Sequence, residues 1–345
     1  MSREVEQVIV IHEEVREALA SGRGVVALET AVLTHGLPRR PWPQPPIAAW
    51  LRDPHDGLGI DAAWRDDADI HVETVRLMAE AVRAGGSVPA VIGMLAGTLH
   101  VGMAPDQLSS LANASSPAKL SARDLGIASS RGDDGGTTVA GTLSACALAA
   151  PAIRVMATGG IGGAHRGWNA TADVSADLRL LAESPVCLVA SGAKSILDIA
   201  ATAEMLDTLA VPTIGYRTGH WPRFISPPCG SIACPWTIGS PDEAAAACRR
   251  HWGAFAQRSA VLLLNAPPTR WALADAGELD RLIAEEAASA PRDRGPDVTP
   301  HLLQRLVDRT GGRTLLANIA LLLSNARLAG EIATSLARHP EPSPT

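Results

Sequence analysis

Short runs of consecutive apolar residues alternate along this chain with longer stretches in which apolar positions recur every three or four residues. The runs read as buried strands and the periodic stretches as helices. Val5 to Ala20 has helical spacing and is closed by Gly22, and GVVALE (24–29) follows as a strand. Val72 to Ala84 is helical and stops at Gly85–Gly86. Val88 to Val101 reads as two strands folded about Gly97, a hairpin. Thr137 to Ala149 is a helix of small residues, and Ile153 to Ala157 is a strand. Ser175 is placed to cap a helix running through Leu181. Val186 to Ala190 is a strand, Ser195 to Leu209 a helix and Thr213 to Gly215 a short strand. Pro241 to Phe255 is helical, Ala260 to Leu264 is a strand, and the remainder is helical to about Arg338. The tail HPEPSPT is too polar and Pro-rich to pack.

Strands alternating with helices predict an α/β fold. Length allows one large domain or two ordinary ones. Two stretches break the rhythm. Residues 39–69 are rich in Pro, Asp and Trp and read as an inserted surface excursion, and Phe224 to Gly239 reads as a loop near a strand end. There is no internal repeat.

Composition removes several function classes. A net charge of −6 gives no reason to expect nucleic-acid binding. No apolar stretch reaches the roughly twenty residues of a membrane span, and the acidic N-terminus is unlike a secretory signal. Cys146 and Cys187 lie in apolar runs and read as core. Cys229 and Cys234 could approach each other, but no further ligand completes a zinc site. The expected setting is cytoplasmic and reduced.

Candidate chemistry collects just after the strands, where open α/β sheets bind ligands. Lys194 follows strand 186–190 in SGAKSILD. An amine at the first turn of a helix meets the positive end of the dipole, which favours its neutral, nucleophilic form. Lysines so placed form Schiff bases with carbonyl carbons. The segment alone fits better a surface lysine that snorkels outward. Glu29 ends VVALE, where burial would make it a general acid; pairing with an arginine is the plainer alternative. TGGIGG (158–163) brings backbone amides close to a ligand, although a Gly-rich turn alone says little, and no dinucleotide fingerprint is present. His165 and Arg166 follow. Asp173 and Asp177 flank the expected cap, and few acidic oxygens suit a hydrated Mg²⁺ or Mn²⁺; Asp177 serves equally as a helix N-terminal charge. GGTTV (135–139) opens a helix and could meet phosphate, as could Lys119. Asn265 ends VLLLN, and Asn318 is an amide inside the last apolar helix, where it must find partners.

VVALETAVLTHGLP, GGTTVAGT, ATGGIGGAHRG, DVSADL, SGAKSILD, DVTPHLL and RTGGRTLLANIALLLSNA together resemble the pseudouridine-5′-phosphate glycosidase family, also called indigoidine synthase A-like. The motifs occur in the family's order and near its spacing, over about residues 8 to 335, and the set is highly specific. The resemblance implies a three-layer α/β/α fold with a central mixed sheet, in one large domain over residues 1–338. It implies a homotrimer and one Mn²⁺ per subunit. It implies reversible cleavage of the C–C glycosidic bond of pseudouridine 5′-phosphate, giving uracil and ribose 5-phosphate. Motif by motif, Glu29 corresponds to the proton donor, Lys194 to the nucleophile and Asp173 to the metal ligand. Ser175, Ala176 and Asp177 correspond to a substrate-binding run, and Lys119 and Val139 to substrate-binding positions. Thr158, His165 and Asn318 fall where pocket residues are expected.

The chain departs from the family at 39–69, at 224–239 and at Ala122, where an arginine is usual. These changes bear on the substrate more than on the reaction. Two other functions stay open: C-ribosylation of a different aromatic acceptor with ribose 5-phosphate, and a non-catalytic family member. Retention of Glu29, Lys194 and Asp173 together argues against the second.

Overall fold

The computed structural model describes residues 8–338 apart from 54–56, 229–231, 274–276, 278, 283–284 and 286–304. Eleven strands form one mixed sheet, with helices on its faces. The strands are β1 (Ile9–Ile11), β2 (Val25–Glu29), β3 (Val88–Leu95), β4 (Thr98–Val101), β5 (Ala118–Leu120), β6 (Gly135–Thr137), β7 (Val155–Ala157), β8 (Cys187–Ala190), β9 (Thr213–Tyr216), β10 (Trp236–Ile238) and β11 (Val261–Asn265). Their order is β1-β4-β3-β2-β7-β8-β11-β9-β10, with β6 joined to β3 and β5 to β6. From β3 through β2, β7, β8, β11 and β9 every neighbour is parallel. The carboxyl ends of these strands therefore share one edge. Parallel strands must be covered on both faces, and every residue of β2, β7, β8 and β11 is buried.

The predicted α/β fold with a central mixed sheet is the observed one, and the hairpin of β3 and β4 turns through Ala96 and Gly97, both at positive φ. The first helix differs from the expectation. Among the described residues it spans Glu13–Ala20, because Ile9–Ile11 pairs in parallel with Leu99–Val101, and the expected start at Val5 lies outside the described residues. That β-branched segment buries Ile9 and Ile11 and exposes Val10, a period of two inside a stretch that also fitted a period near four. Small helix Val139–Leu148 and helix Ala176–Glu183, capped by Ser175, stand as expected. So does the long helix Arg313–Arg338, which packs on helix Ile70–Ala84 and on β2, β7 and β8. It is long and apolar enough to cross a membrane, but 72% of its apolar window is buried within the protein, as in a core helix. Cys146, Cys187, Cys234 and Cys248 are free and buried, and Cys229 and the tail 339–345 lie outside the described residues.

The 39–69 segment is not a surface excursion. Ile47, Trp50, Leu51, Ile60 and Trp64 are buried in the main core. Helix Ile47–Arg52 supplies three of them, and Trp50 meets Trp271 edge to face, centroids 6.1 Å apart. The prolines and aspartates that suggested a surface loop flank this short apolar insert and leave its packing intact. Trp64 Nε1 donates to Trp42 O within the segment, and Arg327 Nη1 of the long helix donates to Leu58 O, which ties the segment's middle to the core.

Candidate active site

Glu29 is the last residue of β2 and is only 6% exposed. The chain then enters a π-type turn over Val32–Gly36. Thr30 Oγ1 donates to Ile92 O and accepts the Thr137 N–H, locking this strand end to its neighbours. Thr158 follows β7, and its hydroxyl donates a short hydrogen bond to Glu29 Oε1. Burial pushes the Glu29 carboxyl up from its ordinary value, against the charge of Lys194, the Thr158 hydrogen bond and the charge of Lys119, with Asp177 adding to the rise. A carboxyl whose neutral form is favoured in this way is suited to give a proton.

Lys194 lies four residues past β8. It does not sit in the first turn of a helix, as the sequence suggested. That helix spans Ile199–Thr208, because Asp198 caps it by accepting the Ala201 N–H, whereas Ser195 Oγ is spent on the Arg223 carbonyl. The helix-dipole argument therefore does not apply to this amine. The turn instead fixes it: Lys194 N donates to Ile161 O, and Leu197 N to Lys194 O. Gly192 has φ +84°, and a Cβ there would stand 2.4 Å from Pro222 O, so only glycine turns the chain here.

Glu29, Lys119, Thr158, Lys194 and Asn318 all line one cavity of about 70 Å³ at the carboxyl edge of the sheet. Lys119 comes from β5, Asn318 from the long helix. His35, Gly36, Phe224, Gly159 and Gly160 also line it. A second chamber of about 140 Å³ adjoins it and shares His35, Gly36, Phe224 and Asn318. Sequence reasoning overlooked His35 and Phe224. His35 was visible as the polar residue of THGLP soon after Glu29. Phe224 sat in a loop with no pattern to single it out; it reaches the site by a left-handed turn, φ +60°, with its N–H bound to Ser191 O.

The remaining expected residues lie outside this cavity. Val139 is 1% exposed at the start of its helix and does not line the cavity. Ser175 caps its helix, and Ala176 is exposed. Asp177 is buried and accepts the N–H groups of Ala140 and Gly162. The Gly162 amide of TGGIGG and the Thr137 and Thr138 amides of GGTTV are thus taken up within the protein. The glycines of TGGIGG serve packing: a Cβ on Gly160 would strike the Phe224 ring at 2.7 Å.

His165 and Asp173 face each other, Nδ1 to Oδ2 3.8 Å, and the Asp173 side chain is 63% exposed. Among the described residues no group of three or more His, Cys, Asp or Glu could hold a metal ion. A closed cage does not fit. An ion that keeps most of its waters, and takes one carboxylate plus substrate oxygens, does fit Asp173.

Comparison with known proteins shows the family. The family model "Indigoidine synthase A like protein" matches residues 67–335. A pseudouridine-5′-phosphate glycosidase of Methylobacterium nodulans is 42% identical over 325 residues, 94% of this chain and 86% of that protein. One of Deinococcus radiodurans is 40% identical over 332 residues, 95% of each. Among solved structures, an indigoidine synthase A-like protein from Thermotoga maritima superposes with TM-score 0.78 at 32% identity, covering 96% of this chain and 97% of that one. A prealnumycin C-glycosynthase in complex with ribulose 5-phosphate gives 0.78 at 34% identity, covering 96% and 98%.

Proposed function

Because the chain belongs to the indigoidine synthase A-like family, we propose that it cleaves the C–C glycosidic bond of pseudouridine 5′-phosphate, reversibly, to uracil and ribose 5-phosphate. One observation carries the reading: a buried carboxyl held toward its neutral form and a lysine amine face the same cavity.

A C–C glycosidic bond offers no heteroatom leaving group to protonate, so two-carboxylate hydrolysis is poorly suited to it. Lys194 Nζ instead bonds to C1′ as the C1′–O4′ bond breaks, and Glu29 gives O4′ its proton. The nitrogen sheds a proton. Its lone pair then forms the C=N bond as C1′–C5 breaks, and C5 of uracil takes up a proton. Water hydrolyses the imine, which frees ribose 5-phosphate and restores the amine. Lys119 supplies positive charge to the polar substrate, and Asn318 and Thr158 orient it. Asp173 would hold a hydrated Mn²⁺, which offers positive charge to substrate oxygens. A cytoplasmic homotrimer is part of the same reading, and light scattering tests the assembly.

Incubation with pseudouridine 5′-phosphate and Mn²⁺ should release uracil and ribose 5-phosphate in equal amounts. No uracil at any metal concentration would refute the substrate. C-ribosylation of another aromatic acceptor is the alternative, and the likeness to a C-glycosynthase does not by itself favour it. That reading gains if ribose 5-phosphate still forms an adduct on Lys194 while pseudouridine 5′-phosphate stays intact.

A further inference from the structure

Glu29 ends β2 and Lys194 follows β8, with β7 between them. Their separation therefore depends on how the loops beyond β7 and β8 are held. Beneath these loops lies Asn325, a residue of helix Arg313–Arg338 with 0% exposure. Its Nδ2 donates to the Thr158 carbonyl at 2.8 Å and to Ser191 Oγ at 3.1 Å. Its Oδ1 accepts from Asn265 Nδ2 at 2.9 Å. The three partners stand at the carboxyl ends of β7, β8 and β11, which are consecutive in the sheet.

The orientation of the amide follows from its partners. A main-chain carbonyl only accepts, so the nitrogen must face Thr158. Two donations and one acceptance then match a neutral carboxamide. A carboxylate would lack both donors, and an apolar side chain would leave the Thr158 carbonyl without this partner. From Thr158 the same residue's hydroxyl reaches Glu29. From Ser191 three steps along the chain reach Lys194, through Gly192, whose backbone conformation only glycine suits. Asn325 is thus linked by short covalent and hydrogen-bonded paths to both groups, yet it is no part of the cavity wall.

We propose that Asn325 is a positioning residue, which sets the distance between acid and amine by tying the ends of β7 and β8 to one amide. The proposal rests on the reading of Glu29 and Lys194 given above. Loss of the amide lets the two loops part, and a shift of about an ångström at reacting atoms costs on the order of a hundredfold in rate.

The test compares Asn325→Leu with Leu323→Ala, a cavity-forming change on the same buried helix. Cleavage of pseudouridine 5′-phosphate is followed across pH, together with labelling of Lys194 by trinitrobenzenesulfonate in the absence of substrate, read by peptide mass spectrometry. In Asn325→Leu, kcat should fall on the order of a hundredfold with KM changed far less, and the pH midpoint of Lys194 labelling should move. Leu323→Ala should lose stability but keep both the wild-type kcat and the wild-type midpoint. The labelling arm stays readable if wild-type protein does not cleave this substrate, so failure of the substrate reading is separable. Should Asn325→Leu fail to fold, Ser191→Ala carries the test, since it deletes one acceptor and almost no volume; a several-fold loss of kcat or a moved labelling midpoint is expected. Wild-type kcat and labelling in whichever variant folds, or equal losses in Leu323→Ala, would overturn the proposal.

Discussion

The Asp177 carboxylate caps a helix that is not its own: Oδ1 accepts the N–H of Ala140, in the first turn of helix Val139–Leu148, at 3.0 Å. Its other oxygen accepts the Gly162 N–H at 2.8 Å. One buried side chain therefore joins the small-residue helix to the glycine turn beside the cavity. A carboxylate at a helix N-terminus is electrostatically well placed.

Asp177→Asn tests that joint. An asparagine retains one acceptor, so one of the two N–H groups loses its partner. Hydrogen bonds to a charged group contribute roughly 1.5–3 kcal/mol each. Urea unfolding should show a loss of about 2 kcal/mol, together with reduced turnover as the 158–163 turn shifts. Unchanged stability would show the joint to be idle.

Glu29 and Thr158 should control the pH profile. Burial holds the Glu29 carboxyl above its ordinary value of 4.5. The native protein thus binds this proton more tightly than the unfolded chain does. This contribution to stability is full below the unfolded value and is lost as pH rises through the raised folded one. Activity that needs the proton should fall over the same upper range. Thr158→Val removes a hydrogen bond that lowers the value, so the alkaline limb of kcat/KM should move to higher pH. Glu29→Gln should cost several orders of magnitude in kcat and flatten the stability difference across that range. An alkaline limb that stays put in Thr158→Val would disprove the coupling.

Lys194 should carry the covalent adduct. Borohydride added with ribose 5-phosphate should fix a sugar on this residue, read by peptide mass spectrometry. Lys194→Ala should abolish both adduct and turnover. An adduct on Lys119, the other lysine of the cavity, would transfer the role to that residue.

The main sheet was legible because β2, β7, β8 and β11 are continuous apolar runs, and continuity is what burial on both faces demands. Glu29 and Thr158 were legible for the same reason: each is the first polar residue after such a run. Strands β5 and β6 were not, since three residues such as GGT have no strand pattern; β6 pairs because β3 is beside it, and β5 because β6 is. Lys194 was found, but for a helix-start reason the structure does not support. The sequence offered Ser195 as a cap, and only the fold shows its hydroxyl occupied by Arg223 and Asp198 doing the capping. Asn325 went unnoticed beside Asn318 because both are amides in one apolar helix. What separates them is which one meets strand ends and which one faces the cavity.

Turnover should require a divalent ion held mainly by water. Chelation should abolish uracil release and added Mn²⁺ should restore it. Asp173 is largely exposed and has one neighbouring imidazole, so the protein's hold is weak and substrate oxygens must contribute. Asp173→Ala should therefore raise the Mn²⁺ concentration for half-maximal rate by tenfold or more, an order-of-magnitude expectation for losing a carboxylate ligand, and leave unfolding by urea unchanged. A wild-type metal dependence in this variant would place the ion elsewhere.

The 39–69 segment should behave as core. A surface loop of this length could be cut to a short Gly/Ser link at small entropic cost, and composition alone suggested that outcome. The burial of Ile47, Trp50, Leu51, Ile60 and Trp64 reverses it. Arg65 of this segment also joins Arg76 at the buried Glu73, whose carboxylate lies below its usual range because these hydrogen bonds outweigh the effect of burial. Deleting the segment would open the core and strip that carboxylate of one partner. Trp50→Ala removes a ring packed on Trp271 and should cost about 3–5 kcal/mol, the usual range for emptying a buried aromatic site. Arg65→Ala should cost less near neutral pH, because Arg76 remains, and the difference should shrink as acid protonates Glu73. Replacement of 39–69 by the short link should give protein without a cooperative thermal transition. A link variant that melts like the wild type would show the segment to be dispensable after all.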